Sequence, residues 1–202
     1  MMDIFSIRGR RRMGAISIAA VILCVVWILQ LAILSKLTFS QVMCNLPLAM
    51  TIVWGATFGS PMEKPTSDEL RVSSVAAIFV RQLLAGSISG CLVGAFFAAL
   101  YCSMAPVFPV SFPVIGWISG YFSLKNFNQA AFLCIPLVLL LTFLAEIIMA
   151  AQLLLMGRPD VIAHFVTISF PEALLNALIA PVLFFPMRGW FEFSQWRQAA
   201  YE

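Results

Sequence analysis

The sequence predicts an all-α, polytopic membrane protein with six transmembrane helices. Three observations lead there. Of its 202 residues, 62% are apolar and only 10% are charged, and soluble domains carry about 25% charge. The apolar residues gather into six stretches, judged against the roughly 20 residues that cross a bilayer as a helix. The 12 Lys and Arg residues divide unevenly between the two ends of those stretches, and basic residues are retained on the cytoplasmic side.

The first stretch, about 13–34, follows a basic N-terminus, residues 1–12. It is longer than a signal-peptide core and has no clean small-x-small cleavage site, so it reads as a retained helix. The second covers about 42–59 and the third about 76–104, with Arg81 and Gln82 near the start of the third. The third then runs Gly86-Ser87-x-Ser89-Gly90-x-x-x-Gly94-x-x-x-Ala98. Small residues at every fourth position make one smooth face, which lets another helix backbone approach closely. Its partner is a segment of the same chain, the commoner case, or a second protein, a homodimer included.

The fourth stretch, about 107–122, is short, with Pro109 and Pro113 at its entry and Gly116 and Gly120 inside. It reads as a full span or a re-entrant element. The fifth, about 130–156, carries Glu146 deep within it, and Gln152 further along. The sixth, about 165–187, holds Glu172, Asn176 and three prolines, Pro171, Pro181 and Pro186. The membrane domain is therefore 13–187. The tail 188–202 mixes aromatics with charges and suits an interfacial position.

In a six-span topology, Arg8, Arg10, Arg11, Arg12, Lys64, Arg71, Arg81, Lys125, Arg188 and Arg197 fall on one side. Only Lys36 and Arg158 fall on the other. Both termini are then predicted cytoplasmic, in a multi-pass membrane protein. Removing the fourth span would turn Lys125 and everything after it to the opposite side. The longest polar stretch, 60–71, reads as a solvated cytoplasmic linker.

The five cysteines are scattered through apolar runs with no CxxC or Cys/His cluster, so they read as buried small hydrophobes and no metal is expected. The one histidine, His164, is expected in an outer loop. Gly86-Ser87-Ile88-Ser89-Gly90 departs from the Gly-x-Ser-Gly pattern of intramembrane serine proteases, and no histidine lies in a later span to act as base. There is no HExxH and no phosphate-binding glycine loop. The expectation is a protein that is not an enzyme and needs no cofactor. A net charge of +3 is too small to suggest nucleic acid.

The polar residues within the spans remain. A carboxyl group such as Glu146 at mid-span is protonated, paired or turned to a wet cavity, and Asn176 is its expected hydrogen-bond partner. Glu172 lies one turn before Asn176, so the two share a helix face. The charge count places Pro171-Glu172 toward the outer surface. Each proline leaves a carbonyl one turn back without its helical donor. Glu172, Asn176, Pro181 and Glu146 are therefore expected as structural or partner-binding polar positions, and Gly86, Gly90 and Gly94 as helix-packing positions.

The closing segment, Pro171-Glu172, then Asn176, Pro181 and Met187-Arg188, resembles the last helix of the MreD family of rod-shape-determining membrane proteins. Asn45 and Pro47, which open the second apolar run, resemble its second span. Gly90-x-x-x-Gly94, followed by a short fourth span after a proline-containing turn, is similar to its third and fourth. The resemblance covers about residues 13–190 of the sequence. The family often has an acidic residue four positions after the second glycine of that step, where this chain has Ala98.

The resemblance implies a bundle like the substrate-binding subunits of vitamin-uptake systems. It also implies a non-enzymatic role in cell shape and peptidoglycan elongation, within the elongasome. The implied partners are MreC, then MreB, RodA and a class B penicillin-binding transpeptidase, together with membrane lipid. The alternative expectation is a small-molecule substrate-binding subunit of a transporter.

Overall fold

A computed structural model describes residues 7–36, 38–39, 42–59, 87–103, 107–122, 130–158 and 161–199. Within them the helices are α1 (Ile7–Ala32), α2 (Leu46–Phe58), α3 (Ile88–Cys102), α4 (Ser111–Ser119), α5 (Ala130–Leu155) and α6 (Val161–Ala199). A two-residue antiparallel pair, β1 (Thr38–Phe39) and β2 (Val42–Met43), joins α1 to α2.

The protein is mostly helical, as expected. Among the described residues, three helical segments are long and apolar enough to cross a membrane: Ile16–Lys36, Phe132–Leu155 and Thr167–Phe191. The others are shorter. Helix α2 has 13 residues, about 20 Å at the usual rise per residue, against a hydrocarbon thickness of about 30 Å. Helix α4 has nine, and α3 has 15 among the described residues. The expected second stretch is shorter as a helix because Val42 and Met43 pair as strand and Asn45 caps α2. At the ends the helices run further than the hydrophobic stretches. Helix α1 begins at Ile7, among the N-terminal arginines, and α6 continues through the aromatic tail to Ala199.

Helix α2 is the centre of the bundle. It is apolar all round, and every residue from Leu46 to Thr57 is buried. A helix with no polar stripe has no face to offer water, so it sits inside. It touches all five other helices. By contrast α1 leans on the bundle along one narrow line, with Leu23, Val26 and Gln30 buried and Ile16, Val21, Val25 and Ile28 exposed. Exposed apolar rows also run down α3 (Ile88, Leu92, Phe96) and α6 (Phe170, Leu174, Leu178, Val182, Phe185). In a membrane protein such rows face hydrocarbon or partner helices.

The small-residue face of the third stretch packs within the same chain. A Cβ on Gly90 would collide with the carbonyl of Gly116 on α4 and come within 2.8 Å of the Gly55 Cα on α2. A Cβ on Gly94 would collide with the Phe112 carbonyl. Glycines on α3, α4 and α2 therefore let three backbones meet where no side chain fits. Gly86 lies outside the described residues. Ser87 begins α3 as its N-cap, with its hydroxyl accepting from Gly90 N at 2.9 Å. The serine-glycine run is thus the start of a tightly packed helix.

At one end of α2 an aromatic cluster holds the α6 extension. Trp54 and Phe58 meet Trp190 with ring centroids 5.5 and 5.4 Å apart, and Phe58 also meets Phe191 at 5.7 Å. At the other end lie the polar groups described next.

A candidate functional site at the start of the central helix

The first turn of any α-helix leaves N–H groups without intrahelical acceptors. For a surface helix water satisfies them. Helix α2 starts inside an apolar bundle, where an unpaired N–H costs about 1–3 kcal/mol. Its first turn is closed by side chains from two other helices and from its own cap.

Gln30, on α1, accepts from Leu46 N through Oε1 at 2.9 Å and donates from Nε2 to the Cys44 carbonyl at 3.0 Å. Asn176, on α6, accepts from Asn45 N through Oδ1 at 2.7 Å, and the Cys44 thiol donates to the same oxygen at 3.1 Å. Asn45 accepts from Leu48 N through its own Oδ1 at 3.2 Å. Position 47 is proline and has no N–H to satisfy. Each amide proton from Asn45 to Leu48 therefore has an acceptor. Tyr101, at the end of α3, donates its hydroxyl to Asn45 Oδ1 at 3.2 Å and meets Trp27 of α1 edge-on at 5.0 Å.

Two polar ladders stand behind this closure on facing helices. On α5, Thr142 and Glu146 are one turn apart. On α6, Glu172 and Asn176 are too, so each pair lies on one face. Asn176 donates from Nδ2 to Thr142 Oγ1 at 3.5 Å. The Glu172 carboxyl meets the Asn45 side chain and interacts with Glu146. Further along α5, Gln152 clasps the segment entering α4, donating to the Phe108 carbonyl at 2.7 Å and accepting from Val110 N at 3.3 Å.

The expected polar positions are thus placed as follows. Asn176 is completely buried, and its partners are Asn45, Cys44 and Thr142; the expected bond to Glu146 is replaced by the one to Thr142. Glu172 and Glu146 are both partly buried, on facing helices. Pro181 is half-buried in α6, which runs unbroken through Pro171, Pro181 and Pro186. Ala98 is fully buried. Gly90 and Gly94 pack α3 on α4 as described. His164 is in α6, which begins at Val161, so the expected loop placement is corrected by a longer helix. Among the described residues no group of three His, Cys, Asp or Glu could hold a metal ion.

Gln30, Cys44, Tyr101 and Thr142 were not singled out by the sequence. A lone glutamine in an otherwise apolar first span was the available signal for Gln30, since an uncharged amide in hydrocarbon needs a partner. Compared with protein-family models, curated proteins and solved structures, the chain matches none.

Proposed function

We propose that the chain is a non-enzymatic scaffold or regulator of bacterial cell-wall elongation and rod shape. It spans the cytoplasmic membrane six times with both termini inside, and it binds MreC. Through MreC it links MreB filaments to RodA and a class B penicillin-binding transpeptidase.

One observation carries the choice of a scaffold over a catalyst. Gln30, Asn45, Thr142 and Asn176 are engaged in joining α1, α2, α3, α5 and α6 to one another. Outward, α1, α3 and α6 present long apolar rows, and surfaces of that kind recognise other membrane helices by close packing. With Asn176 fully buried, the Glu172–Asn176 pair acts on a partner through the fold, while the α3 and α6 rows make the contact.

The test is co-purification of MreC with the full-length chain, together with depletion in a rod-shaped host. Retention of MreC and rounding of depleted cells are the expected results. Rod shape that survives depletion, or MreC that fails to co-purify, refutes the proposal. A reporter fused at Glu202 should be cytoplasmic, and an extracytoplasmic signal would overturn the six-span topology. E172A/N176A should reduce MreC retention in proportion to the loss of folded protein.

A further inference from the structure

Beside the polar closure of α2 is a pocket of about 310 Å³ that the helix-joining contacts do not fill. Asn45 and Tyr101 line it from α2 and α3, Phe112 from α4, and Met149 and Leu153 from α5. Arg158, just past the end of α5, lines it too and is exposed. At about 30 Å³ for each water's share of liquid, the space takes on the order of ten heavy atoms. That is near the lower end of ligand-pocket sizes.

Its chemistry is graded along its length. The walls are mostly apolar, and the cation is at the mouth. Glu146 stands one turn below Met149 on the same α5 face, and Glu172 meets Asn45, so carboxyl groups lie beneath the floor. An anionic group therefore fits at Arg158 and is disfavoured deeper in. The rim decides where the occupant comes from. Close in sequence to the lining residues Val107, Pro109 and Arg158, Phe108, Val110, Leu155 and Met156 are exposed, Leu155 at 91%. An apolar rim with a single Arg is the surface of a protein at the hydrocarbon–headgroup boundary, where Arg extends to the headgroups.

We propose that this pocket holds a segment of one acyl chain of an anionic phospholipid, about ten carbons by the volume above, with the lipid phosphate on Arg158. The guanidinium offers a planar fork of donors that matches a phosphate. That segment lies between Phe112 and Leu153, with Tyr101 and Asn45 at its inner end. The proposal is independent of any role in cell-wall elongation.

The experiment uses the full chain in nanodiscs of mixed phosphatidylglycerol and phosphatidylcholine, with bound lipid read by native mass spectrometry after release. Wild type should retain phosphatidylglycerol in preference to phosphatidylcholine. R158Q, at an exposed turn, should lower that preference about fivefold, the effect of one basic residue at a membrane surface, and R158K should restore part of it. M149W, which narrows the pocket, should lower retention severalfold. If M149W does not run as a single species on gel filtration, L153F takes its place. Equal retention of the two lipids by wild type, an unchanged preference in R158Q, or unchanged retention in the pocket-narrowing variant overturns the proposal. So does a soluble small molecule, or a peptide helix, found in place of lipid.

Discussion

Replacing Asn176 by leucine tests the closure of α2 most directly. The change keeps the side chain's branched shape and number of heavy atoms, and it removes one acceptor oxygen at a position with no exposed surface. That oxygen takes the Asn45 amide proton at 2.7 Å and the Cys44 thiol at 3.1 Å. Without that oxygen the partly buried Asn45 N–H loses its acceptor, and an unpaired buried N–H costs about 1–3 kcal/mol. The bond to Thr142 is long, at 3.5 Å, and adds little; side-chain hydrogen bonds in membrane proteins average about 0.6 kcal/mol. A loss of about 2 kcal/mol is expected, which lowers the melting temperature by about 4–8 °C for a chain of this length.

The assay is thermal unfolding in detergent, followed by a thiol-reactive dye. Cys44 and Cys134 are buried while Cys24 and Cys102 are exposed, so a delayed second phase of labelling reports unfolding. L178A, on the outward face of the same helix, should melt close to wild type. Q30L removes the acceptor of the neighbouring Leu46 amide and should cost a similar amount. Because Gln30 and Asn176 hold the same turn, the double variant should fall short of the sum of the two. An N176L protein that melts with wild type would refute this account, since the Asn45 amide would then need no acceptor from α6.

Two further predictions concern packing. G90A should destabilise by about 1–3 kcal/mol, the usual range for overpacking, because its methyl group meets the Gly116 carbonyl. G189A, with nothing within 4 Å of a Cβ, should be neutral or stabilise α6 by up to about 1 kcal/mol through helix propensity; the same melting assay separates the two. The Trp54 Nε1 proton is buried with no hydrogen-bond partner among the described residues, so W54F removes that donor while keeping an aromatic ring against Phe58 and Trp190. It should melt at or above the wild-type temperature, and a large loss would show that the indole proton has an acceptor.

Much of the architecture was legible because the physics behind it is local. Apolar runs mark helices in a bilayer whatever they pack against, and the runs around α1, α5 and α6 contain the three segments long enough to cross. The spacing of Gly90 and Gly94 announced a close helix approach because small residues four apart share one face. The partner of that face was not local. Gly116 of α4 and Gly55 of α2 are distant in sequence, and the glycine pattern suits an intrachain or an intermolecular contact equally well.

The polar site divides the same way. By itself the sequence determined that Glu146, Glu172 and Asn176 lie in apolar segments and need partners, and that Glu172 and Asn176 share a face. The tertiary structure alone decided that Asn176 serves the start of α2, because the donors it satisfies belong to a helix more than a hundred residues earlier. It also decided that α2 is an enclosed core helix and that Arg158 stands at the mouth of a pocket. A hydrogen-bond need is a property of one residue, while its satisfaction is a property of the whole packed bundle.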